Sequence, residues 1–157
     1  MPKTTSLYLG ADHAGFTLKE ILKSRLTKQK SNVVVDVSPD LIEGDDYPLT
    51  AQKVASAIRH DPDAIGILVC GTGHGMDVAA NRFRGVRAIV ARTEKDAKLA
   101  REHNHANVLV LGGRVTKPAL AKKIVTVFLK TKPSKAERHA RRVKQLDAIY
   151  DRREVRS

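Results

Sequence analysis

Short apolar runs alternate along the chain with longer stretches in which apolar positions recur every three or four residues. The runs are SLYLG (6–10), NVVVDV (32–37), IGILVC (65–70), VRAIVA (86–91) and ANVLVLGG (106–113). Their length and β-branched content predict five strands. ILV and VLVL put apolar side chains on successive positions, so those strands are expected to be buried on both faces. Helices are predicted from Phe16 to about Lys28, from Pro48 to about Arg59, in MDVAANRF, in TEKDAKLAREHN with Thr93 as N-cap, and in KPALAKKIVTVFLKT. A charged helix is expected to close the chain over about 135–153. Its apolar residues Val143, Leu146, Ile149 and Tyr150 form a stripe for docking on this subunit or on a partner. Five β–α units in succession imply a three-layer α/β/α fold: a five-stranded parallel, Rossmann-like sheet, helices on both faces and an extended C-terminal helix.

The chain has 157 residues, enough for a single domain spanning 1–157. Its 41% hydrophobic content supports a packed core. Cys70 is the only cysteine, so no internal disulfide framework is expected. No apolar stretch reaches the roughly 20 residues that span a bilayer, and the first residues lack a signal-peptide pattern. A cytoplasmic protein without a membrane partner is expected. The net charge of +12 is weighted toward 130–145 and 151–157. Such a balance suits nucleic acid or small anionic substrates. Aromatic content of 4%, no tryptophan and no helix-turn-helix or zinc-finger spacing argue against a nucleic-acid partner.

In parallel α/β sheets, ligands bind outside the carboxyl ends of the strands. Strand one runs into Asp12 and His13, strand three into CGTGHG (70–75) and strand five into Arg114; the fourth major helix ends at His103 and Asn104. Several of these are expected on one rim. A glycine-rich turn between strand and helix aims backbone N–H groups at one spot, suited to an anion or a developing oxyanion. Neither common phosphate fingerprint fits: Met76 breaks the dinucleotide pattern, and Phe16-Thr17 stand where GADHAG would need Lys-Ser/Thr. Cys70, at a strand end before a helix N-terminus, reads either as a reactive thiolate or as a buried inert thiol. Thr72 is a hydroxyl donor or a turn residue. His74 is expected at the surface, and Asp77 as a first-turn helix charge. Asp12 is a catalytic or a capping carboxylate. His103-x-His105 has no third metal ligand at useful spacing, so no metal is expected. Arg138 and Arg142, four apart, form either a phosphate clamp or a solvated face.

Taken in order, GADHAGF, DYP (46–48), CGTGHGM followed by AAN, REHN (101–104), GGR (112–114) and ERHARR (137–142) resemble the type B ribose-5-phosphate isomerases. These share one sugar-phosphate isomerase family with the galactose-6-phosphate isomerase subunits, and the resemblance runs from about residue 6 to 150. It implies an aldose–ketose isomerase with no cofactor, acting on ribose 5-phosphate and ribulose 5-phosphate through an enediolate. A six-carbon aldose phosphate, allose or galactose 6-phosphate, is the alternative substrate. The resemblance makes Cys70 the base, gives Gly71, Gly73 and Gly75 the oxyanion hole, and lets Thr72 move protons on the sugar oxygens. It has His103, with Asp12, open the furanose ring. Asn104 holds the sugar or the enediolate, while His13, Arg114, Arg138 and Arg142 bind the phosphate. It also implies a homodimer or homotetramer with sites at subunit interfaces.

Overall fold

The computed structural model describes residues 4–149. The order is β1 (Thr5–Ala11), α1 (Phe16–Thr27), β2 (Asn32–Asp36), α2 (Tyr47–His60), β3 (Ile65–Cys70), α3 (His74–Ala80), β4 (Ala88–Val90), α4 (Glu94–Asn104), β5 (Val108–Gly112), α5 (Pro118–Lys130) and α6 (Glu137–Asp147). The strands form one sheet in the order β2-β1-β3-β5-β4, parallel at every junction. Tyr150, the last part of the expected C-terminal helix and the basic segment 151–157 lie outside the described residues.

The core has two parts, one on each face. Leu7, Leu9, Ile67, Leu109 and Leu111 meet Leu22 of α1, Ala97 of α4 and Phe128 of α5. Leu68, Val108 and Val110 meet Val54 and Ile58 of α2 and Met76 of α3. Every residue of β3 and β5 is buried, as their unbroken apolar runs require. At the sheet edge, β2 leaves Val33 and Val35 exposed. Thr93 closes a capping box: its hydroxyl accepts from Asp96 N at 3.1 Å, and the Asp96 carboxylate accepts from Thr93 N at 3.0 Å.

Four elements differ from expectation: β5 covers Val108–Gly112 rather than 106–113, and α6 spans Glu137–Asp147, with 148 and 149 outside it, where a helix over about 135–153 is expected. The helix expected from Met76 begins at His74 and ends at Ala80, because Gly73, in the left-handed region at φ 90°, turns the chain sharply into it. β4 covers Ala88–Val90 rather than 86–91. Asn81 occupies its open edge, donating to Ala88 O at 2.9 Å and accepting from Ala88 N at 2.8 Å.

Lys19 is wholly buried, alone among the described lysines. Its ammonium reaches Asp36 at 2.8 Å, Glu20 at 2.9 Å and the Ser38 carbonyl at 2.6 Å, over the ring of Phe16. Ser38 in turn accepts from Ala11 N at 2.8 Å, so this charge cluster fixes the exit from β1.

Candidate active site

β1 and β3 are neighbours whose following helices, α1 and α3, leave to opposite faces of the sheet. Chain reversals of this kind open a crevice at the carboxyl edge, and Cys70 lies at that crevice. The loops after β1, β3 and β5 close tightly around it. Asp12 N donates to Val69 O at 3.3 Å, Gly113 N to Cys70 O at 2.7 Å and Arg114 N to Gly71 O at 2.9 Å. A Cβ on Gly15 would stand 2.1 Å from the Val69 carbonyl oxygen, so only glycine permits this approach.

None of the backbone amides of Gly71, Thr72, Gly73, His74 and Gly75 donates to an acceptor among the described residues. These amides run from just after the thiol into the first turn of α3, where the orphan donors of a helix gather. Cys70 is 4% exposed and packs with Met76 on the α2–α3 side. It is both a buried core residue and the last residue before the free amides. Thr72 is exposed, and the Arg114 side chain lies across Gly71, its Nη1 3.4 Å from where a Cβ would be. The Tyr47 ring lies against Gly75, within 2.6 Å of where a Cβ would be.

Asp12 is buried and caps the turn into α1 by accepting from Gly15 N at 3.0 Å. His13 is half-buried and held by Asp45, whose Oδ1 accepts from its backbone N at 2.7 Å and from ring Nδ1 at 3.0 Å. The hydrogen bond to Asp45, aided by the charges of Asp12, Asp45 and Glu43, outweighs partial desolvation and raises the His13 pKa above its ordinary value. With Nδ1 engaged, Nε2 is the ring's free donor, a cation suited to a phosphate oxygen.

The structure therefore gathers Asp12, His13, Cys70, Gly71, Thr72, Gly73, Gly75 and Arg114 on one rim. It does not bring His103 and Asn104 there. Helix α4 runs antiparallel to the strands and ends at their amino edge, where Ala106 N donates to Ala100 O and Asn107 N to Arg87 O. Val108 and Gly112, which mark the two edges on β5, are about 13 Å apart at the usual strand rise.

At that amino edge lies a second cluster. The His103 ring stacks on His139 of α6, centroids 4.3 Å apart and planes at 7°. His139 is buried, and Arg138 and Arg142 flank it, both exposed. Burial, followed by the charges of His103, Arg138, Arg142 and His105, lowers the His139 pKa. Asn104 lines a cavity of about 340 Å³ with Arg87, Leu146 and Asp147. Helix α6 docks on its own subunit through His139, Val143 and the Arg87–Asp147 ion pair at 2.8 Å, while Leu146 and Ile149 remain 45% and 73% exposed. His105 Nε2 donates to the Ser134 carbonyl at 3.0 Å, so the two histidines of His103-x-His105 have separate partners. Among the described residues, no three His, Cys, Asp or Glu side chains gather as a metal site requires.

Four contributors escaped the sequence reading. Asp45 lies 32 residues from His13, and Arg92 is 20 from Thr72, so spacing carries no signal for either. Tyr47 and His139 stand inside DYP and ERHARR, where only the neighbouring residues had been given roles.

The profile of the Ribose/Galactose Isomerase family matches residues 7–146. Ribose-5-phosphate isomerase B of Mycolicibacterium paratuberculosis is 41% identical over 147 residues, 93% of this chain and 91% of that protein. The Escherichia coli protein of the same name is 41% identical over 144 residues, covering 92% and 95%. Among solved structures, ribose-5-phosphate isomerase B from Mycoplasma genitalium with bound ribulose-5-phosphate superposes with a TM-score of 0.87 at 38% identity, over 99% of both chains. A ribose 5-phosphate isomerase from Thermotoga maritima superposes with a TM-score of 0.85 at 44% identity, over 91% of this chain and 97% of that one.

Proposed function

Because the chain belongs to the ribose/galactose isomerase family, we propose that it interconverts ribose 5-phosphate and ribulose 5-phosphate in sites built between two copies of itself. The observation that carries the reading is the row of free amides from Gly71 to Gly75 directly after the only thiol of the chain. Acting as a thiolate, Cys70 takes the proton from C2 of the open-chain aldose. The C–H electron pair becomes the C1–C2 double bond, and the aldehyde oxygen becomes an oxyanion held by the loop amides. Thr72 passes the proton of the C2 hydroxyl to the C1 oxygen, and the Cys70 thiol returns its proton to C1, giving the ketose. Atoms and charge balance with no cofactor. Met76, wholly buried, has no acid–base chemistry to offer.

Two copies are invoked because one chain separates the required groups. The rim supplies Cys70, the amides, Asp12, His13 and Arg114. In this reading the amino-edge cluster of a second copy supplies His103 for ring opening, Asn104 for the sugar, and Arg138 with Arg142 for the phosphate. Asp12 then meets His103 across the interface, and the exposed Leu146 of α6 and Ile149 just beyond it lie on the surface that faces the partner. Among the described residues, no helix is long and apolar enough to cross a membrane, in keeping with a cytoplasmic metabolic enzyme.

The test is ketose formation from ribose 5-phosphate by the purified protein, with a chelator present. Turnover is expected at a kcat/KM above that for allose or galactose 6-phosphate. A higher kcat/KM for a six-carbon substrate would change the sugar and keep the reaction class. No turnover of any of them would overturn the proposal.

A further inference from the structure

One cation outside the reacting groups touches the glycine loop. Arg92, two residues after β4, donates from Nη2 to the Thr72 carbonyl at 3.0 Å, and the same nitrogen lies 3.2 Å from Nε2 of His74. A guanidinium offers only donors and keeps its proton. Nε2 of His74 is therefore the acceptor, and the ring proton sits on Nδ1. The loop carbonyls are divided among different partners: Gly71 O accepts from Arg114 N, Gly73 O accepts from Asp77 N, and Thr72 O has Arg92 alone. The Thr72–Gly73 peptide is planar and trans, so a carbonyl drawn toward Arg92 sends the Gly73 N–H the opposite way. That amide has no acceptor of its own, and Gly73 stands at φ 90°, where glycine lets a peptide reorient readily.

We infer that Arg92 is a positioning residue: through the Thr72 carbonyl it fixes the direction in which the Gly73 amide meets the enediolate oxygen, with His74 as its second anchor. This rests on the reading of the 71–75 loop as the enediolate cradle. The Arg92 guanidinium bonds only Thr72 and His74 among the described residues, and none of His13, Arg114, Arg138 and Arg142, so its effect belongs to the chemical step and not to substrate capture.

The experiment compares Arg92→Ala, Arg92→Lys and His74→Ala with the wild-type protein, in the full chain, for kcat, KM and inhibition by inorganic phosphate. Arg92→Ala is expected to lower kcat roughly tenfold, with KM and the phosphate inhibition constant within about twofold. Arg92→Lys should recover most of the loss, because an ammonium still reaches the carbonyl. His74→Ala should leave kcat within about threefold, since the Thr72 bond survives. Unchanged kcat in Arg92→Ala would overturn the inference, as would a loss shared equally by phosphate inhibition or one that lysine does not rescue. Should the wild-type protein isomerise none of the sugar phosphates, the functional reading falls instead. The inference is then read from hydrogen exchange at the Gly73 amide: faster exchange in Arg92→Ala supports the tether, and an equal rate overturns it.

Discussion

The carboxyl edge of the sheet and the α4–α6 surface hold different kinds of chemistry. At the carboxyl edge the candidate groups are mostly backbone amides, locked by contacts as close as that of Gly15 on the Val69 carbonyl. On the α4–α6 surface they are exposed side chains at the end of one helix and along another, tied down by a histidine stack and one ion pair. The first region suits a step in which charge develops on a fixed atom, because preorganised dipoles need not move. The second suits capture of a charged ligand, where long guanidinium side chains reach and adapt. In the proposed reading the rigid edge supplies the base and the oxyanion donors together with His13 and Arg114, the other supplies His103 and the Arg138–Arg142 grip, and the fold keeps the two sets on opposite edges of one chain.

The largest effect should come from removing the base. Cys70→Ala is expected to lower kcat by about 10³-fold or more while thermal unfolding shows an intact fold. Turnover close to wild type would return the thiol to the role of a core residue. Next is a direct test of the two-edge separation. Mixing inactive Cys70→Ala chains with inactive His103→Ala chains, after dissociation and reassociation, should restore about a quarter of wild-type activity, since half of randomly formed dimers are mixed and each carries one intact site. No recovery would put both edges of one chain in one site. Arg142→Ala should raise KM by roughly 10- to 100-fold and change kcat less, as loss of a charge-assisted phosphate contact does. An unchanged KM would remove Arg142 from the grip.

Asp45→Asn should act more mildly and in a pH-dependent way. Asp45 raises the His13 pKa, so the His13 cation, a phosphate ligand in the proposed reading, persists to higher pH than an ordinary histidine would. In Asp45→Asn the basic fall of kcat/KM should begin at lower pH, with little change on the acid side. The same pairing contributes stability that is full below the ordinary histidine pKa and is lost as pH rises through the raised one. Identical pH profiles would leave Asp45 as a loop anchor only.

The elements were legible because their signals are local. The apolar runs of β3 and β5, the cap at Thr93 and the prolines opening α2 and α5 each report on a few neighbouring residues. The β1, β3 and β5 parts of the rim were legible too, since strand ends in a parallel sheet share an edge. His103 and Asn104 do not share it, because they end a helix, and helices in βαβ units return toward the amino edge. The pairs His13–Asp45 and Thr72–Arg92 join segments whose separation is set only by the finished fold. The start of α3 at His74 followed from the Gly73 backbone angle, to which apolar periodicity is blind.

Lys19 gives the molecule a built-in clock. Amine-directed reagents reach the other described lysines in the native state, since each retains exposed surface, whereas Lys19 has none. It becomes reactive only when the corner joining β1, α1 and β2 opens. Because that corner also fixes the exit from β1 toward Asp12 and His13, the rate of Lys19 labelling would time how often this part of the carboxyl edge comes undone.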